Sequence, residues 1–304
     1  EPDTARLHHN LGNVLFNCGY LKEADAEFSQ ALALDSSQPL AHFGRGSLLR
    51  MVGRKNEALE EFRRAVALDP NFFHAQNAMS ETLLELGLFN EAEASTRRAL
   101  EMLPANHPLR SELLNRQKSV AQLRSLEDKL PSILAGKADL VNVNEQFGRA
   151  WLCQLPRLRH YTVAARLYTL AFAAMPIPAT DPRNAYFHLA ACAAAKAGTG
   201  ADEGNASLGE AERSRLREQA LDWLRHELAF CIKRAQSSST TEQRTARRTL
   251  HQWQLELDLS CVRDPAALAK LPETERSAWQ EFWQEVERTL VTPPLGSLSI
   301  ASHR

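Results

Sequence analysis

The sequence predicts an all-α protein in which a solenoid of paired helices is followed by a second, less regular helical array. The first observation is a period: small residues recur every 34 residues through the first third of the chain. Such a period is typical of units made of two helices and a turn. The second observation is the composition, in which Ala, Leu, Glu and Arg are abundant while glycine (13) and proline (14) are few. This mixture favours helices.

Residues 1–108 are predicted to form three such repeats. One position of the period is held by Ala24, Ala58 and Ala92. Further positions recur in the same way: Ala31, Ala65 and Ala99; Gly19, Gly53 and Gly87; and Phe28 and Phe62, with Thr96 in the third repeat. Small residues are expected to let the first helix of each unit (helix A) approach the second (helix B): Gly12, Gly46 and Ser80. The pattern resembles the tetratricopeptide repeat, which implies a solenoid of helical hairpins that binds other proteins.

The stretch HHNLGNVLFNC, residues 8 to 18, is predicted as helix A of the first repeat, with Leu11 on its packed side. In the tetratricopeptide family the helices A line a concave groove that binds extended peptides or partner helices. The resemblance implies a groove with these residues: Arg6, His9, Asn13, Phe16 and Asn17; Phe43, Ser47, Arg50 and Met51; and His74, Asn77, Glu81 and Glu85. The alternative is that they form only a solvated helix face.

One known use of this groove is not expected. The chaperone-binding members of the family hold a C-terminal carboxylate with two lysines, two asparagines and an arginine. Of these, only Asn13 has a counterpart here. His9 and His74 occupy the lysine positions, while Gly44 and Ala78 occupy the positions of the second asparagine and the arginine. The groove therefore points to a protein or peptide partner other than a chaperone carboxylate.

Beyond the repeats, residues 109–144 are predicted as one long connecting helix, ended by Pro131, and a linker. Residues 145–290 form the second helical region, in which Ala164, Tyr168 and Ala171 repeat the spacing of helix B. Helices are predicted here at about 181–198, starting at Asp181–Pro182, and at 210–235, 240–257, 264–270 and 273–290. A mobile loop is predicted at 198–212 and a disordered tail at 291–304. Helical spacing places four tryptophans in the core: Trp223, Trp253, Trp279 and Trp283.

This second region resembles another family from about residue 126 to residue 290. The matching stretches are LPSILAGKAD (130–139), AARLYTLAFAA (164–174), LAACAAAKAG (189–198), RLREQALDWLRHEL (215–228) and the run from Leu250 to Leu290. They look like the C-terminal helical extension of large bacterial eukaryotic-type serine/threonine protein kinases, which often carry WD40 or tetratricopeptide arrays. The resemblance implies a non-catalytic region that docks substrates or signalling partners downstream of a kinase domain. A stand-alone adaptor is the alternative.

Charge and cysteine usage set the expected surroundings. The net charge of −1 gives no reason to expect nucleic acid, and the Arg213, Arg215 and Arg217 run is interleaved with glutamate, as on a solvated helix face. Five scattered cysteines predict reduced thiols in the cytoplasm. No apolar run is long enough to predict a membrane span. Glu1 is not an initiator methionine, which suggests a segment of a longer protein. The oligomeric state stays open.

No catalytic residue, cofactor or metal site is predicted. His188 and Cys192 lie four residues apart and offer two ligands, whereas a metal site needs three or four. The favoured interpretation is a buried cysteine beside a histidine, and a helical enzyme or metal-binding domain at this point is the third, least favoured hypothesis. Val262-Arg263-Asp264 lacks the histidine and asparagine of a kinase catalytic loop and is read as a helix cap.

Overall fold

The computed structural model describes residues 2–136, 143–174, 185–202 and 208–291. In these ranges the regular structure is helical and contains no strand, which confirms the predicted all-α class. None of the described helices is both long and apolar enough to cross a membrane. Three expectations lie outside the described residues: the helix start at Asp181–Pro182, the centre of the 198–212 loop, and the tail after residue 291.

Eight helices precede the first undescribed segment: α1 (Pro2–Cys18), α2 (Leu21–Leu34), α3 (Pro39–Met51), α4 (Lys55–Leu68), α5 (Phe73–Glu85), α6 (Phe89–Glu101), α7 (Arg110–Asp128) and α8 (Leu130–Leu134). The later helices are α9 (Val143–Cys153), α10 (Tyr161–Ala174), α11 (Ala185–Gly198), α12 (Glu210–Ala235), α13 (Thr240–Leu255), α14 (Pro265–Leu268) and α15 (Glu273–Val291), with a 3-10 helix at Leu257–Val262. The predicted helices at 210–235, 240–257, 264–270 and 273–290 are confirmed to within two residues.

The glycines of the 34-residue period shape each hairpin. Gly53 and Gly87 end helix A with φ values of 83° and 77°, in the left-handed region that glycine adopts without strain. Gly46 has a different role. A Cβ added there would lie 2.7 Å from the Phe62 ring of helix B, so only a residue without a side chain permits this packing.

Each hairpin has a polar contact between its two helices at the same position of the repeat. In the first two repeats a histidine on helix A meets a glutamate on helix B, and in the third a glutamine meets a serine. The pairs are His8–Glu27, His42–Glu61 and Gln76–Ser95, each at 2.6 Å. Because buried polar groups need partners, this contact fixes the pairing of helices A and B more specifically than apolar packing alone.

Leu11 does not lie on the packed side of α1 as predicted, because its side chain is 46% exposed. Its equivalent in the second repeat, Arg45, lies against the preceding helix B and contacts Asp25 at 3.5 Å. Among the described residues no helix precedes α1 to cover Leu11 in the same way. The same position of the repeat is therefore covered by the preceding helix B in the second repeat and left exposed in the first.

Contact density divides the chain into two compact units. The first comprises residues 1–16 and 21–158, and the second comprises residues 17–20 and 159–304. In the first unit α7 packs on α6, with Leu113 and Val120 buried. The prediction that Pro131 ends this helix is wrong: α7 ends at Asp128, and Pro131 lies in the first turn of α8, where a proline is tolerated.

In the second unit α11 packs between α10 and α12. The four tryptophans are buried, as predicted, with exposed fractions from 1% to 9%. The interpretation of Arg217 as part of a solvated face is wrong, because it is 3% exposed. Its guanidinium donates to Glu275 (2.6 Å) and to the carbonyl oxygen of Gly198 (2.6 Å), and these acceptors compensate for the loss of water around the charge.

Candidate peptide-binding groove

The second and third repeats place their predicted groove residues on neighbouring helices, α3 and α5. Arg50 on α3 is bound by two carboxylates of α5, Glu81 at 2.7 Å and Glu85 at 3.0 Å. Lys55 approaches Glu85 from the start of α4, at 3.7 Å. The predicted groove residues Arg50, Glu81 and Glu85 therefore neutralise one another across the helix interface.

Arg116 of α7 completes this ion network and was not predicted. Its guanidinium donates to Asn77 (2.6 Å), Ser80 (2.9 Å), Glu81 (2.6 Å) and Glu112 (3.1 Å). With a 9% exposed side chain, Arg116 links α7 to α5 rather than facing a ligand. Arg116 lies 35 residues after Glu81, which is close to one repeat period. The repeat pattern is lost after residue 108, so the sequence does not show that Arg116 and Glu81 occupy similar positions.

Near the start of α3 and α5 the groove is aromatic. The ring of Phe43 lies 5.2 Å from that of Phe72 and 6.3 Å from that of His74, and His74 also meets Phe73 at 5.5 Å. We call these four residues the aromatic patch. The three phenylalanines are half-buried and His74 is exposed. Such a surface offers ring faces and an imidazole to a ligand.

The predicted groove residues of α1 have mixed environments. His9 is only 6% exposed, with its ring 6.0 Å from that of Phe28 and Nε2 accepting a hydrogen bond from Asn13 at 2.9 Å. Burial lowers the pKa of His9. Phe16 is half-buried, whereas Arg6 and Asn17 are exposed, and Asn17 falls in the second unit.

Ser47 and Met51, the two other predicted groove residues on α3, offer less to a ligand. The hydroxyl of Ser47 donates to the carbonyl oxygen of Phe43 at 2.8 Å, so its hydrogen is already engaged within the helix. Met51 is half-buried at the end of α3. We therefore describe the groove as the aromatic patch together with the ion network formed by Arg50, Lys55, Glu81, Glu85, Glu112 and Arg116.

Helix packing explains why the carboxylate-binding residues are missing. A Cβ at Gly44 would lie 2.6 Å from the Phe28 ring, so an asparagine at this position would collide with helix B of the first repeat. Ala78 is 9% exposed and packs against Phe62 and Leu49. These two positions hold small residues because the neighbouring aromatic rings fill the space.

A separate cleft opens between α4, α5 and α6, with a volume of about 510 Å³. Its lining includes Val66, Met79 and Leu83 together with Arg63 and Arg98. This cleft involves the helices B of the second and third repeats, whereas the aromatic patch and the ion network lie mainly on α3, α5 and α7. It is therefore a second concave surface to be distinguished from the groove by experiment.

Comparison with known proteins supports the repeat assignment. Residues 5–38 and 39–72 each match a family model described as the tetratricopeptide repeat. Residues 5–72 are therefore similar to tetratricopeptide repeats, and the fold is an all-α helical repeat array like those of that type. The third predicted repeat has the same hairpin in α5 and α6. A search of curated proteins finds no match.

Solved structures similar to this chain include three whose alignments cover between 41% and 95% of it. The P58(IPK) TPR domain is 14% identical, with a TM-score of 0.42 and coverage of 94% of this chain and 91% of that one. Yeast Tom70 is 14% identical, with a TM-score of 0.37 and coverage of 95% and 63%. The first TPR of Spaghetti (RPAP3), bound to an HSP90 peptide, is 22% identical, with a TM-score of 0.39 and coverage of 41% and 96%.

Proposed function

We propose that this chain is a non-catalytic interaction scaffold that binds an extended peptide in the groove of its tetratricopeptide repeats. The observation that carries the proposal is the aromatic patch, where exposed His74 and three half-buried phenylalanines lie beside the ion network. Isolated apolar residues on a surface need no explanation, but four clustered rings near the start of adjacent helices A are the surface to which we assign a side chain of the ligand.

The charges of the groove indicate the kind of peptide. The cations Arg50, Lys55 and Arg116 face the carboxylates Glu81, Glu85 and Glu112, so the network has no net charge. A ligand held by its overall charge gains little from such a surface. We therefore expect a peptide with an apolar or aromatic anchor for the patch, and an affinity that changes less than about threefold between low and physiological salt.

Selection from a peptide library displayed on phage tests this function, with the whole chain as bait. Selected peptides are then titrated against the wild type and the H74A variant. H226A provides a matched control, because His226 is also exposed and also contacts a phenylalanine, at 4.3 Å, but lies in the second unit. We expect H74A to weaken binding about tenfold and H226A to leave it unchanged. Failure to enrich any peptide, or equal binding by all three proteins, would overturn the proposal.

The finer proposal, based on sequence resemblance, is that the native protein carries a serine/threonine kinase domain before this region and uses it to dock substrates or signalling partners. The alternative is a stand-alone adaptor. The intact mass and peptide map of the native parent separate the two. A mass well above 34.0 kDa with peptides from a kinase domain supports the first, and a parent of about the size of this chain excludes it.

The enzyme hypothesis for the His188 and Cys192 region has little chemical support. Cys192 is 3% exposed, and burial raises the pKa of its thiol to about 11. A nucleophilic cysteine instead needs a lowered pKa and access to substrate. Glu256 also lies 2.7 Å from the same Nε2 atom of His188 that Cys192 approaches, so the nitrogen that would take the proton of the thiol is already engaged.

A further inference from the structure

Three side chains that commonly bind metal ions converge in the second unit. His188 and Cys192 lie on one face of α11, and Glu256 directly follows α13. The Nε2 atom of His188 lies 2.7 Å from a Glu256 oxygen and 3.7 Å from the Cys192 sulfur. One ligand atom from each residue lies within 4.8 Å of the other two. The sequence suggested only two ligands because Glu256 lies 68 residues from His188.

The surroundings of this cluster are dry. Cys192 and Glu256 are 3% and 8% exposed. The ring of His188 stacks on that of Trp253, with 5.9 Å between the ring centroids, and Trp253 is itself 1% exposed. Ionisable groups in such a place are costly unless a charge of opposite sign accompanies them.

A second carboxylate lies on the other side of the imidazole. Glu227 of α12 places an oxygen 3.9 Å from the Nδ1 atom of His188, and both atoms are buried without a hydrogen-bond partner. Two carboxylates thus face a single imidazole. The ammonium group of Lys196, on the same helix, is held by Asp258 at 2.5 Å. A divalent cation bound by Nε2 would interact favourably with the carboxylates of this cluster.

We propose that His188, Cys192 and Glu256 form a zinc site, with Nε2, Sγ and a carboxylate oxygen as the three protein ligands. Glu227 is the positioning residue: with the metal bound, its carboxylate would close the 3.9 Å gap to Nδ1, accept the hydrogen of that nitrogen and direct Nε2 to the metal, as carboxylates do behind many zinc-bound histidines. This inference is independent of the peptide groove, because all four residues belong to the second unit.

The ligand set favours zinc over the harder cations. Calcium and magnesium prefer oxygen atoms alone, whereas zinc accepts nitrogen, sulfur and oxygen in a tetrahedron. From ordinary zinc bond lengths, the nitrogen and sulfur of such a site lie about 3.6 Å apart, close to the 3.7 Å between His188 and Cys192. The nitrogen and oxygen should lie about 3.3 Å apart, so the Glu256 carboxylate has to withdraw slightly from His188 to admit the ion.

Titration of the whole, tag-free chain with Co²⁺ tests the site, because a thiolate ligand gives cobalt a near-ultraviolet charge-transfer band. We expect one Co²⁺ per chain, the thiolate band, and displacement of the cobalt by Zn²⁺. C192S should lose the band, and E256Q should bind at least tenfold more weakly. E227Q should keep the band while its affinity falls about 10- to 100-fold, the usual effect of removing a partner behind a metal ligand.

C231S is the matched control, because Cys231 is also buried (4% exposed) in the second unit but lies outside the cluster; it should bind cobalt like the wild type. Zinc should also raise the melting temperature of the wild type and of C231S but not that of C192S. If C192S does not fold, the same comparison with E256Q decides. The proposal is overturned if the wild type takes up no cobalt, if the band is absent, or if C231S rather than C192S abolishes binding.

Discussion

At the scale of single residues, buried polar pairs specify how helices A and B meet. Both ring nitrogens of His42 face acceptors: Glu61 at 2.6 Å and the carbonyl oxygen of Ser36 at 3.0 Å. The carbonyl oxygen can only accept a hydrogen bond, and the Glu61 carboxylate also accepts one from Arg45 (3.2 Å). His42 and Glu61 are 4% and 5% exposed, so each satisfies a polar group that water does not reach.

This pair predicts a pH-dependent contribution to stability. Burial opposes ionisation of Glu61, but the hydrogen bond from His42 and the charges of His42, Arg45 and Arg64 outweigh it, so the pKa of Glu61 lies below its usual 4.5. A lowered pKa in the folded state stabilises the protein above the unfolded value, and this stability is lost as the pH falls through the folded pKa.

We therefore expect E61Q to lower the free energy of unfolding by about 1–2 kcal/mol at neutral pH, and by progressively less as the pH falls below about 4. Urea unfolding across this range measures the effect. The neighbouring E60Q is the control, because Glu60 is 59% exposed and its change should stay below about 0.5 kcal/mol. An E61Q deficit that does not shrink in acid would contradict the assigned ion pair.

Ala58 tests the repeat register at the same scale. It is fully buried in a cluster with Leu49, Phe62 and Ala78, so A58L would overpack the contact between helices A and B and cost about 1–3 kcal/mol. The control is A67L, on the exposed side of the same helix. If the two variants have equal denaturation midpoints, Ala58 does not hold the assigned position.

At the scale of elements, close approach of helices depends on particular glycines. In an open helical position, replacing glycine by alanine stabilises by about 1 kcal/mol. At Gly46 we expect the opposite sign, because the new Cβ would lie 2.7 Å from the Phe62 ring. At Gly148 of α9 a Cβ would meet only a Leu126 methyl group, at 3.3 Å, and a side-chain end of this kind moves aside readily.

Thermal unfolding of the two alanine variants provides the measurement. G46A should melt below the wild type, G148A should melt at or above it, and their stabilities should differ by at least about 1 kcal/mol. Equal melting temperatures would show that helices A and B of the second repeat are less closely packed than described.

Arg116 links α7 to α5 through hydrogen bonds to Asn77, Ser80 and Glu81. R116M keeps an unbranched apolar side chain but removes the guanidinium, leaves Glu81 and Glu112 without this partner, and should lower the free energy of unfolding by about 2–3 kcal/mol. R124M on the same helix is the control, because Arg124 is 50% exposed and, among the described residues, pairs only with Glu93; we expect less than about 0.5 kcal/mol. Chemical denaturation compares them, and equal losses would refute the linking role of Arg116.

The elements that the sequence predicted are those whose signals are local or periodic. The positions of Ala58 and Phe62 repeat every 34 residues. The predicted bounds of α12 and α15 agree with the structure to within one residue. Arg116 and Glu256 acquire their roles from helices that meet far along the chain, and no repeat marks them. The burial of Arg217 likewise depends on Glu275, 58 residues away, so composition alone suggested a solvated face.

At the scale of the whole molecule, the two units divide the proposed chemistry. The first contains the repeats, the aromatic patch and the ion network, and the second contains the cluster of His188, Cys192 and Glu256. If the two proposals are correct, zinc and a groove-binding peptide act on different parts of the chain. The H74A variant should then bind cobalt normally, and C192S should bind the selected peptides normally.

Backbone amide hydrogen exchange of the whole chain, with and without a selected peptide, tests the central claim most directly. We expect the peptide to slow exchange in α3, α5 and α7, most strongly around Phe43 and His74. Protection that is concentrated instead in α4 and α6, around the second cleft, or in α11 to α13 would contradict the assignment of the groove as the binding surface.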